Sequence, residues 1–127
     1  MGSNSSRLSK KKLKNYVSWF EIPALNIHRA TTFYNQIYNI QMETTEANGY
    51  SMSVFPSENG IGGAVLMGPG SSPSETGPLV YLNGGNDLTE VLNKIEPSGG
   101  RIILSKTLIN EEVGYFESDC ILGCFNQ

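Results

Sequence analysis

A chain of 127 residues, 39% hydrophobic and 17% charged, is long enough for one domain with a real core and too short for two ordinary ones. No apolar run approaches the roughly 20 residues of a membrane span, and the start lacks the apolar stretch of a secretory signal peptide, so a cytoplasmic protein is expected. Five of the nine basic residues and none of the twelve acidic ones fall within residues 1–14, which leaves the remainder at −8 and argues against a nucleic-acid partner.

Residues 1–14 read as a disordered basic leader, and residues 15–127 as a single domain. Met1-Gly2-Ser3-Asn4-Ser5-Ser6 also fits an N-myristoylation pattern, and an acylated Gly2 beside the Lys/Arg cluster would hold the chain on an anionic membrane. The competing reading is an unmodified polar arm or a cloning leader. Order begins at residues 16–22, rich in aromatic and β-branched side chains and halted by Pro23. Asn26 stands where a helix N-cap belongs, and Ile27, Ala30, Phe33, Tyr34 and Ile37 follow as one apolar stripe that ends near Tyr38-Asn39. Three strands are predicted next, over 41–46, 50–55 and 62–67. Asn48-Gly49 forms the first turn and Ser57-Glu58-Asn59-Gly60 the second.

A Gly/Pro/Ser-rich hinge at 69–76 separates this module, residues 15–68, from a second at 77–127. The second module opens with a strand over 79–83. Asp87 caps a helix with the stripe Leu88, Val91, Leu92 and Ile95, ended by Pro97 and Gly99-Gly100. Strands are predicted over 101–108, 114–117 and 121–125. The order β-α-β-β-β thus occurs twice, an α+β arrangement of two βαβββ modules. Each sheet has one face covered by its helix, and the other must be covered by a partner or enclose a ligand. Cys120 and Cys124, about 13 Å apart on a strand, are too distant to bridge and read as free thiols of a reducing compartment.

Several stretches, in this order and spacing, carry a family likeness. They are Trp19-Phe20-Glu21-Ile22-Pro23, Arg29-Ala30 with Phe33-Tyr34, Gly62-Gly63-Ala64, Leu79-Val80-Tyr81-Leu82, and Gly99-Gly100 through Lys106-Thr107 to Gly114-Tyr115-Phe116. Over residues 16–125 the chain resembles the vicinal-oxygen-chelate (glyoxalase/bleomycin-resistance) superfamily, in its lactoylglutathione-lyase-related branch. The resemblance implies a curved eight-stranded cup and a homodimer that completes it. Metal enzymes of that superfamily hold a divalent ion in a His/Glu quartet. The corresponding positions here are Trp19, Ala64 or Val65, Leu79 and Gly123, none of which carries a metal-ligating side chain. No metal and no cofactor are therefore expected. The final hairpin, after Ser118-Asp119-Cys120, is about four residues shorter than the family pattern.

Strand alternation places Trp19 and Glu21 on one face, and Leu79, Tyr81 and Asn83 on the matching face of the second module. Facing a cup, they would supply an aromatic floor with a few polar anchors, to which Met52, Met67, Phe55 and Phe116 could add apolar lining. The alternative for each ring and methionine is ordinary core packing. Glu21 is a candidate general base, or else a rim carboxylate paired with a cation. His28, on the face opposite the first helix's stripe, reads as a solvated surface residue. Gly60-Ile61-Gly62-Gly63 leads into a strand and not a helix, so it is no phosphate loop. Three functions follow: a metal-free binder that sequesters or carries an apolar or aromatic ligand, a glyoxalase-related lyase or isomerase acting on a small carbonyl compound through Glu21, and a structural or regulatory interaction domain.

Overall fold

The computed structural model describes residues 12–74 and 76–102, and beyond them the backbone of three short strands. The elements are β1 (Trp19–Pro23), α1 (Ile27–Tyr38), β2 (Thr44–Ala47), β3 (Tyr50–Val54), β4 (Gly62–Met67), β5 (Tyr81–Asn83), α2 (Leu88–Ile95), β6 (Leu108–Asn110), β7 (Gly114–Tyr115) and β8 (Cys120–Leu122). Both helices start where the sequence predicts. The Asn26 side chain accepts from the Arg29 amide at 3.1 Å, and Asp87 accepts from the Thr89 amide at 2.9 Å, each satisfying a donor that the first helical turn leaves unpaired. Asn39, in the left-handed region at φ 55°, ends α1.

Strands β1 to β4 form an open sheet in the order β1-β4-β3-β2. β1 runs parallel to β4, with Trp19 opposite Gly62, and the other pairings are antiparallel. Two predicted boundaries shift, the first because a strand extends only as far as its partner. β4 begins at Gly62, so Tyr16 and Val17 have no ladder and stay exposed, and β2 starts at Thr44, paired with Ser53 one residue before β3 ends. The β2–β3 turn places Asn48 at φ 55° and Gly49 at φ 83°, the two left-handed residues of a type I′ hairpin.

The helix-covered face carries Phe20, Ile22, Ser53 and Val65. Its core extends into the second half, where Leu82, Leu88 and Val91 join Ile22, Ile27, Ala30, Tyr34, Ile37 and Val65 in one buried cluster. The phenol of Tyr38 donates to the Asn83 carbonyl at 2.7 Å, a second tie between the halves. A polar chain is buried inside the apolar layer: the Ser53 hydroxyl lies 2.7 Å from both the Thr31 and the Thr44 hydroxyls, linking α1, β3 and β2. With each hydroxyl partnered, its burial is tolerated.

The second half repeats the order of elements, and among its described residues the strand pairings differ from those of the first. β5 pairs with β8 antiparallel, where β1 and β4 are parallel, and β6 pairs with β7 apart from them. The eight strands found among the described residues are distributed over one four-stranded sheet and two two-stranded pairs. Of the strand predicted over 101–108, Arg101 and Ile102 are exposed coil, Leu108 opens β6, and residues 103–107 lie outside the described residues. The leader up to residue 11, Phe116, Gly123 and Cys124 lie outside the described residues. Among the described residues no helix is long and apolar enough to cross a membrane.

Candidate functional site

The sheet face away from α1 is where the chain presents apolar surface without cover among the described residues. Alternation along β1 turns Trp19, Glu21 and Pro23 to this face, and the register brings Ala64 and Leu66 of β4 beside the last two. Met52 lies next to Leu66, and Thr45 next to Met52, so a row of side chains crosses all four strands.

This row floors a groove of about 660 Å³, bounded at one end by the turn after β4. That turn is Gly68-Pro69-Gly70-Ser71, in which the Ser71 amide donates to the Gly68 carbonyl at 3.0 Å and Gly70 sits at φ 81°. Proline second and a left-handed glycine third are what a type II turn requires. Tyr50 fastens the turn to the sheet. Its ring lies so close over Gly68 that a Cβ there would stand 2.2 Å from a ring carbon, and its hydroxyl donates to the Pro69 carbonyl at 2.8 Å. The Ser71 hydroxyl donates to the Leu66 carbonyl at 3.0 Å. The stretch that reads as a hinge in sequence therefore begins as an ordered wall of the groove.

Glu21 is the carboxylate of this groove, and among the described residues the lining holds no Lys, Arg or His. Trp19 is 44% exposed, and its indole Nε1 donates to Glu21 Oε2 at 3.2 Å. The indole ring reaches from β1 to β4 and covers Gly62, at 3.1 Å from where a Cβ would stand. The shared face expected for Trp19 and Glu21 is thus occupied by a direct bond between them.

Trp19 is not itself a lining residue of the groove, and the other expected site residues are spread more widely. Tyr81 and Asn83 flank the buried Leu82 and share the exposed face of β5, but neither lines the groove. The Asn83 amide oxygen accepts from the Gly85 backbone at 2.7 Å, so it braces its own loop. Met67 is opposite Ser51, on the helix-covered face, and packs against the core. Phe55 joins that core too, with its ring 5.3 Å from Tyr34 and 5.7 Å from Phe20. His28 is on the solvent side of α1. Phe116 falls outside the described residues.

Sequence reading missed Tyr50, Thr45, Leu66 and the turn at Pro69–Ser72. Alternation of Tyr50, Met52 and Val54 held the signal for a shared face, but nothing local shows that the turn folds back over it. Among the described residues, no three His, Cys, Asp or Glu side chains are grouped so as to share a metal ion. Compared with protein-family models, curated proteins and solved structures, the chain matches none of them significantly.

Proposed function

We propose that this protein binds a small apolar or aromatic molecule on the open sheet face, without a metal ion, and sequesters or carries it. The observation that carries the reading is the groove of about 660 Å³, within the 300–1,000 Å³ range common for small-ligand sites. It combines an apolar floor of Pro23, Met52 and Leu66 with a few fixed polar groups. Met52 suits such a floor because its flexible thioether adapts to irregular shapes.

In this reading the second half supplies a further wall, with Tyr81 turned to solvent beside the buried Leu82. The whole would then be a cup of the glyoxalase/bleomycin-resistance kind, completed by a second copy of the chain. The exposed side chains of Trp19, Tyr50, Val54 and Tyr81 are the surface such a homodimer would cover. Metal-dependent isomerase chemistry is not part of it, because Trp19, Ala64 and Leu79 offer no ligating atoms.

The sole tryptophan reports on the site, since its indole is bonded to a groove carboxylate. Titration with a library of uncharged and charged aromatic compounds should give saturable changes in its emission. Met52→Arg should abolish them, by placing a long charged side chain across the floor. A flat response to every compound class, or binding that survives Met52→Arg in a folded variant, refutes the groove. Sedimentation at tens of micromolar should show a dimer, and a species of monomer mass alone would remove the second copy.

A further inference from the structure

Resting on that reading, we infer that the groove selects a monocation: an aliphatic or aromatic amine whose ammonium meets Glu21 while its apolar body lies along Pro23, Met52 and Leu66. The first argument is charge. Among the described residues Glu21 is the one carboxylate in the lining, no basic side chain lines the groove, and the partner of Glu21 is the neutral indole of Trp19. A single uncompensated carboxylate beside apolar surface favours a ligand that brings one positive charge.

The second argument counts protons. The Tyr50 hydroxyl spends its proton on the Pro69 carbonyl, and the Ser71 hydroxyl spends its own on the Leu66 carbonyl. What these two groups can turn towards a ligand is lone pairs. They stand at the turn end of the groove, further along the sheet than Glu21, and there a carboxylate or phosphate would find neither a cation nor these protons among the described residues. Thr45 and Ser72 can serve in either sense and do not alter the balance.

The third argument is orientation. The bond from Trp19 engages Oε2, and among the described residues Oε1 has no recorded partner. Trp19 is therefore a positioning residue: it holds one oxygen and leaves the other to receive a ligand. The chain's net charge of −3 adds a weak long-range attraction for cations, which salt weakens further. Glu21 is exposed, so solvent screens the contact and the preference is modest, on the order of tenfold.

The test uses three compounds that share one ring and differ in one group: 1-naphthylmethylamine, 1-naphthylmethanol and 1-naphthoate. Calorimetry on the full-length protein at low salt should rank the amine about tenfold above the alcohol, with the carboxylate last. The margin should shrink as salt is added. Glu21→Gln should bring the amine down to the alcohol's affinity. Equal affinity for amine and alcohol, or a preference that persists in Glu21→Gln, overturns the inference and leaves the groove standing. Failure of all three compounds to bind, or binding untouched by Met52→Arg, overturns the groove and this inference together.

Discussion

The two halves of the molecule use the same local devices and reach different ladders. Each has an Asx-capped helix that buries a stripe in the shared core, α1 over twelve residues and α2 over eight. In the first half the strands join into four, with β1 parallel to β4. In the second, β5 meets β8 in the opposite sense over three residues, and β6 and β7 pair separately. Caps and apolar stripes act within a few residues, so they recur wherever the pattern recurs. Strand pairing depends on chain segments far apart and on the loops between them, so the local pattern alone does not fix it.

The strongest way to break this comparison is to ask whether the halves fold as one. Leu88 is fully buried in a cluster drawn mostly from the first half. Leu88→Ala should cost about 2–5 kcal/mol and shift unfolding detected at Trp19 as far as unfolding detected by far-UV circular dichroism. Separated transitions would mean two independent halves and a core that does not unite them.

A smaller effect tests the polar tie that belongs to the first half. Ser53→Ala removes the partner of both Thr31 and Thr44 from a fully buried site and should cost about 1–3 kcal/mol in chemical denaturation. A neutral result would show that the two threonines satisfy each other or water without it. The smallest effect belongs to a purely local device. Gly49→Ala, at φ 83° in the hairpin with open space around it, should cost about 1 kcal/mol, read as a small drop in melting temperature. A cost as large as that of Leu88→Ala would mean that the turn directs the whole sheet.

Legibility in the sequence follows the same division. Asn26, Asp87 and Asn48-Gly49 act through bonds to residues two or three places away or through their own backbone angles, and all three predictions match the structure. The bounds of β4 agree as well, because glycine and turn residues bracket its apolar run. The common face of Trp19 and Glu21 was readable from alternation, though their bond was not. Met67 shows the limit. As a methionine on a strand it fits either face, and its register against Ser51 turns it to the core. Asn83 shows another: its side chain satisfies Gly85 two residues on, a local turn that competes with any role at a ligand. Tyr50 was missed because its work is done across nineteen residues, at Gly68 and Pro69.

By itself the sequence determined both helices with their caps, the first hairpin turn and the alternation of faces along β1, because these depend on side-chain period and on hydrogen bonds that close within a turn. Only the tertiary structure decided which strands became neighbours, that both helices share one core, and that the turn at Gly68–Ser71 rises beside the open face to make a groove. Those outcomes depend on contacts between segments distant along the chain, where the cost of closing loops is weighed against burial that no short stretch can achieve alone.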